Sequence, residues 1–199
     1  MRRFGLAVFA CALLAPVRFV VAQQVDFAVG ASTLWSSQNT TAAIGFLPPA
    51  EKGGMYPSAS LQYVSPRRLG FNAELAFRDK KAIYNGFQPY RPFLYDVNAV
   101  YAPRFNKKSG GDFMAGIGGQ TVLFYNEFGA CGLSASGCRI NINSTHFLVH
   151  AGADVKYYFW RNFFARPEAH WYYVINNVQF HSNNVFRVGL SLGHTFGSR

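Results

Sequence analysis

The sequence predicts an all-β fold, an eight-stranded antiparallel up-and-down transmembrane β-barrel with short periplasmic turns and long external loops. Three observations point to it. The stretch Thr145 to Phe159 sets Thr145, Phe147, Val149, Ala151, Ala153, Val155, Tyr157 and Phe159 against His146, Leu148, His150, Gly152, Asp154, Lys156 and Tyr158. A period of two puts these sets on opposite faces of a strand, one apolar and one largely polar. Seven other stretches repeat the pattern, several longer than the five or six residues usual in globular strands, and membrane strands need about nine to eleven. The connections between them alternate between long and short, as in barrels with external loops and tight periplasmic turns.

The first segment is set aside before the fold is read. Arg2 and Arg3 precede an apolar run, Phe4 to Ala15, and Val20-Val21-Ala22 has the small-residue pattern of a cleavage site. Residues 1–22 are therefore expected to be a cleaved signal peptide and 23–199 the barrel domain. The apolar run is too short for a helical span, which takes about twenty residues.

The first strand is read as Val25 to Trp35, followed by a polar stretch from Ser36 to Gly54. The second runs from Met55 to Val64 and ends in the turn Ser65-Pro66-Arg67-Arg68, whose residue types favour a tight reversal. In the third, Leu69, Phe71, Ala73, Leu75 and Phe77 oppose Gly70, Asn72, Glu74, Ala76 and Arg78. Asp79 to Arg91 reads as a long polar loop, and the fourth strand carries Phe93, Tyr95, Val97, Ala99 and Tyr101 on its apolar side. The chain reverses over Pro103 to Gly111 before a fifth strand, Asp112 to Tyr125. A loop from Asn126 to Ser144 precedes the sixth strand, Thr145 to Phe159. Trp160-Arg161-Asn162 turns into the seventh, Phe163 to Val174; Ile175 to Asn184 is the last loop and Val185 to Phe196 the eighth strand. Pro167 interrupts the seventh strand, where it cannot donate a ladder hydrogen bond, so a bulge or a missing bond is expected there.

With a periplasmic N-terminus, the four long loops are external. That orientation gathers Trp35, Phe77, Tyr125, Phe147, Trp171 and Phe186 at one rim. Tyr63, Tyr101, Phe113, Phe159, Phe163 and Phe196 gather at the other, as two interfacial aromatic belts.

The signal segment, the alternating strands and the aromatic-ended last strand, Phe186 to Phe196, together resemble the small eight-stranded bacterial outer-membrane barrels, the family of the outer-membrane protein A transmembrane domain. The string Arg68-Leu69-Gly70-Phe71-Asn72-Ala73-Glu74-Leu75 is also similar to proteins known as outer-membrane β-barrel domain proteins. The resemblance implies residence in the bacterial outer membrane, contact with its lipid including lipopolysaccharide, and assembly by the barrel machinery through Phe186 to Phe196. The family usually ends on the aromatic, whereas Gly197-Ser198-Arg199 follow Phe196 here.

On the inward face the alternation places Asp26, Glu74, Arg78, Asp96, Asp154, Lys156, Arg166, Glu168 and Arg187. Eight strands enclose just enough room for side chains, so the expectation is a lumen plugged by paired charges and no general porin. Counting back from the turn at Arg161 opposes Lys156 to Arg166 and Asp154 to Glu168. The attractive diagonals are then Lys156 to Glu168 and Asp154 to Arg166, a four-charge cluster in the periplasmic half.

No cofactor, metal or catalytic residue is expected. His146 and His150 share a face but lie about 13 Å apart along a strand, too far to hold one ion; a pairing of either with His170 stays open. Phe180-His181-Ser182-Asn183 is similar to the His-x-Ser-Asn segment of lipid A deacylase barrels, but the adjacent His181 and Ser182 would face opposite ways in a strand, and no acidic residue follows them. A lipid A-modifying esterase is one alternative. The other is a soluble exported lipocalin-like barrel with the apolar face turned inward around a small ligand.

Cys131 and Cys138 are the cysteines left after the signal, and in an exported chain they are expected to form one disulfide. Without Arg2, Arg3 and Arg18 the chain keeps sixteen basic against nine acidic residues. Much of the excess lies at the short turns, in Arg67, Arg68, Arg104, Lys107, Lys108 and Arg161. An exported basic chain has no expected nucleic-acid partner; a monomer engaging an unknown surface ligand is the reading carried forward.

Overall fold

A computed structural model describes residues 24–36, 51–84, 88–125, 141–180 and 182–197. Every regular element among them is a strand: β1 (Gln24–Ser36), β2 (Tyr56–Val64), β3 (Leu69–Phe77), β4 (Ala82–Tyr84), β5 (Gln88–Tyr101), β6 (Ser109–Tyr125), β7 (Asn141–Trp160), β8 (Phe163–Val174) and β9 (Asn184–Gly197). Sequence neighbours pair antiparallel around the sheet except β3 and β4; β1 pairs with β9, and β3 pairs with β5, which leaves the short β4 attached to β5 alone. The eight long strands thus close into a ring, each paired on both sides. The proposed signal residues, Cys131, Cys138, His181, Ser198 and Arg199 lie outside the described residues.

Closure decides which face meets which surroundings. Phe71 is 66% exposed and Leu190 55%, and Leu75 and Val149 are also outward, while Asp26, Glu74, Asp96, Arg166, Glu168 and Arg187 are buried in the lumen. A lipocalin-type barrel needs the reverse arrangement, and that alternative is overturned. The outer surface carries aromatic pairs at both ends. Trp35 stacks on Phe186 at 6.0 Å and Phe77 on Phe93 at 5.9 Å at the long-loop end, and Trp160 stacks on Phe163 at 5.7 Å at the short-turn end.

The chain departs from the sequence reading in two places. Asp79 to Arg91 is not simply a loop: β4 folds back on an extension of β5, with Ile83 opposite Pro89 and Tyr84 opposite Gln88. Pro89 and Pro92 punctuate this segment and hide its strand character. In β8, pairing with β7 holds at Asp154–Glu168, resumes at Tyr157–Ala165, and is missing between, where Pro167 has no N–H to give. The bulge itself lies nearer the turn, between Tyr158 and Trp160. On its other side Pro167 stays in register with Leu190 of β9.

Candidate functional site

The lumen is built by the inward residues of all eight long strands and is organised in tiers along the barrel. At the short-turn end, Lys156 of β7 reaches across to Asp26 of β1 at 2.5 Å and to Asp112 of β6 at 2.7 Å. Gln24 and Thr195 also donate to Asp26, and Gln62 donates to Asp112 at 3.0 Å. Above this tier, Arg166 pairs with Glu168 at 2.9 Å and with Asp154 at 3.6 Å, and donates to the Ser60 hydroxyl at 2.9 Å. Arg187 pairs with Glu74, lies 3.7 Å from Glu168, and sits over the Tyr172 ring. Each of the three lumen cations therefore contacts two carboxylates, and Glu168 is shared by two of them.

Mid-barrel, His150 and His170 are hydrogen-bonded at 2.9 Å and stacked, with His150 also stacked on Tyr172. His150 Nδ1 lies 2.6 Å from Asn98 Oδ1 and 3.6 Å from Asp96. The backbone at Gly152 makes room for the pair, because a Cβ there would stand 3.0 Å from both His150 Nε2 and His170 Nδ1. His146 stands apart, bonded to Ser144 and Gln179 at 2.8 Å each.

The long-loop mouth is built differently. The connection after β1 returns to β1: Glu51 O accepts from the Ser36 amide, Glu51 N donates to the Ser36 hydroxyl, and Gly53 N donates to Leu34 O. This sets the fully buried Glu51 carboxylate under Gln120, which donates to both its oxygens at 2.6 and 2.7 Å. Burial, eased by the Gln120 bond and the nearby Arg78 charge, raises the Glu51 pKa to about 7. Beyond the mouth, Tyr84 of β4 packs edge-on against Tyr90, Phe124 and Phe180, and its hydroxyl donates to Gln179 O at 2.7 Å. That aromatic core ties the β4–β5 hairpin to the segment after β8.

Several expectations are revised by this geometry. Asp154 meets Arg166, but Lys156 does not reach Glu168. Arg166 already engages Glu168, and Asp26 and Asp112 flank Lys156 more closely. Arg78 belongs to the mouth, beside Gly54 and over the Tyr56 ring, and not to the central network. Asp112 was not singled out in the sequence, although the alternation of its strand turns it inward. Glu51 lies in a loop, where periodicity carries no signal.

Glu74, Glu168 and His170 bring ligand atoms within 4.8 Å of one another, a spacing compatible with a cation. The Arg187 guanidinium pairs with Glu74 and lies close to Glu168, so a fixed positive charge already occupies that position. Ser182 is buried and its hydroxyl donates to Asn184 O at 3.2 Å.

No family model matches the chain, and no curated protein matches it in sequence. Solved structures do match in fold. The attachment invasion locus protein Ail of Yersinia pestis, in complex with the heparin analogue sucrose octasulfate, aligns with a TM-score of 0.58 at 13% identity, covering 88% of this chain and 100% of that one. Neisserial surface protein A aligns at 0.57 with 14% identity over 87% and 97%. The outer membrane protein OprG of Pseudomonas aeruginosa aligns at 0.53 with 12% identity over 89% and 98%. The closed ring, the apolar exterior and these alignments agree: the chain has the fold of the small eight-stranded outer-membrane β-barrels.

Proposed function

We propose that the protein is an integral, monomeric barrel of a bacterial outer membrane, neither a porin nor an enzyme, that holds a rigid external platform for a surface ligand. The observation that carries this reading is the lumen, crossed at successive heights by cations that each pair with at least one carboxylate on another strand. A cavity at its short-turn end, lined by Gln24, Asp112, Lys156 and Tyr158 among others, measures about 20 Å³. That is space for about one water. In planar bilayers the reconstituted protein is expected to give no steady conductance steps; porin-sized steps from the wild type would overturn the closed-lumen reading.

On the platform, Lys52, Lys80 and Lys81 are exposed, with Asp79 the exposed carboxylate among the described residues there. Such a surface suits an anionic ligand, a lipopolysaccharide phosphate or a sulfated glycan, the second in keeping with the ligand in the Ail structure. Replacing the three lysines by glutamine is expected to abolish salt-sensitive retention on immobilised heparin or lipopolysaccharide. Unchanged retention would remove this part of the proposal. Signal removal at residues 1–22 and engagement of the assembly machinery by Phe186 to Phe196 belong to the same reading.

A further inference from the structure

We infer that the short-turn end carries a defined seat for the phosphate of an anionic phospholipid in the adjoining leaflet, formed by Trp160, Arg161, Asn162, Phe163 and His194. The inference rests on the barrel standing in a membrane and concerns the end opposite the ligand platform. These five residues line one open recess of about 570 Å³. That volume is in the range of pockets that hold small molecules, and so is ample for a glycerophosphate head.

The residues are an unusual set for an apolar girdle. Trp160 is 63% exposed and stacked on Phe163, as expected of an interfacial aromatic. His194 follows the alternation of Leu190 and Leu192 and so stands on the outward face of β9, paired across the sheet with Phe27 and Phe163. Its ring is held edge-on between Phe163 at 4.6 Å and Phe196 at 4.5 Å. Its Nδ1 is buried without a hydrogen-bond partner. With Nδ1 enclosed, Nε2 is the ring nitrogen that can meet a partner from outside. A polar ring among lipid-facing aromatics needs an acceptor, and a phosphate oxygen at headgroup depth is one.

Arg161 adds the charge. It occupies the two-residue turn at φ 45°, a left-handed conformation that Gly or Asn adopts more readily. Turn chemistry alone therefore does not favour arginine there. Arg68 stands at φ 65° in another short turn. Among the residues of the turns at 65–68, 103–108 and 161–162 there are six cations and no carboxylate. The whole end thus attracts anionic headgroups, and the recess beside Arg161 gives one of them a fixed position. An acyl chain leaving it runs along Phe27 and Leu192, both outward and exposed. A water-soluble polymer would have to enter the aromatic girdle to reach His194, which is why a lipid is the occupant.

The test uses the full barrel in micelles and in nanodiscs, with dimyristoylphosphatidylglycerol as probe and the matching phosphatidylcholine as reference. Native mass spectrometry is expected to show one phosphatidylglycerol retained at activation energies that strip phosphatidylcholine. Arg161→Gln should weaken that retention about fivefold and Lys107→Gln by less. His194→Phe should weaken it too, while Arg161→Lys preserves most of it. In a Trp35→Phe, Trp171→Phe background, Trp160 fluorescence should be quenched by brominated phosphatidylglycerol more than by brominated phosphatidylcholine. Heat-modifiable gel migration verifies that each variant is folded. Equal losses in Arg161→Gln and Lys107→Gln would overturn the defined seat in favour of diffuse attraction. Displacement of the lipid by a soluble peptidoglycan fragment would overturn the lipid assignment. A folded wild type that fails to enter nanodiscs would overturn both this inference and the membrane reading on which it rests, whereas insertion without lipid preference overturns the inference alone.

Discussion

The two ends of the lumen are built by different means. At the short-turn end, Lys156 is clamped by Asp26 and Asp112, three residues supplied by three strands of the ladder. At the long-loop end, Glu51 is a loop residue, held by Gln120 and by two bonds to Ser36 at the end of β1, with Gly53 N bonded to Leu34 O beside it. The first group of contacts is anchored on the strand framework; the second rests on a residue outside the strands. On the closed-lumen reading proposed above, one end is expected to stay fixed and the other to be releasable, so substitutions at the two ends should be read by different measurements.

The largest effect is expected from Lys156→Met. Asp26 and Asp112 are both nearly inaccessible to water, and removing the shared cation leaves two buried carboxylates without a counter-charge. Breaking such a buried pair costs about 3–5 kcal/mol. Urea unfolding in lipid vesicles should show this as a global loss. Adding Asp112→Asn to the variant should recover part of it. A Lys156→Met barrel as stable as the wild type would show that the clamp is not what closes this end.

How much of this was legible in the sequence follows the same division. The bounds of β8 come directly from the Trp160-Arg161-Asn162 turn and the period of two, and counting back from that turn places Asp154 opposite Glu168, the register of the ladder. Alternation also turns Lys156 and Arg166 inward. It cannot say which carboxylate each cation meets, because Asp26 and Asp112 approach Lys156 across the closed lumen, from strands 130 residues away in one case. Register is local, but partner choice belongs to the ring. At the long-loop end even the inward direction is unreadable: Glu51 lies in no strand, and β4 is concealed by Pro89 and Pro92.

The release expected at the long-loop end should depend on pH. With its pKa raised from 4.5 to about 7, Glu51 binds its proton more tightly in the closed mouth than in an open one. The closed form therefore has its full advantage below pH 4.5, and that advantage declines as pH rises through 7, by about 3 kcal/mol in all. Hydrogen exchange at the Ser36 and Gly53 amides, corrected for intrinsic rates, should be faster at pH 8 than at pH 5. Glu51→Gln should flatten the profile, since its amide carries no charge at either pH. Exchange that is equally slow at both pH values in the wild type would mean that the loop does not act as a latch.

A smaller, local effect is expected at the platform. Phe180 is fully buried and contacts Tyr84 at 5.8 Å and Tyr90 at 5.3 Å, so Phe180→Leu keeps an apolar side chain but loses both ring contacts. At about 0.5–1.5 kcal/mol per aromatic pair, the loss is about 1–3 kcal/mol. Because the cluster joins the β4–β5 hairpin to the segment after β8 at the far end of the β5–β6 ladder, this loss should appear as faster proteolysis near Tyr84 and Gln179. The urea midpoint should hardly move. A matching fall in global stability would mean that platform and barrel unfold as one unit, and the contrast between a fixed base and a releasable top would then fail.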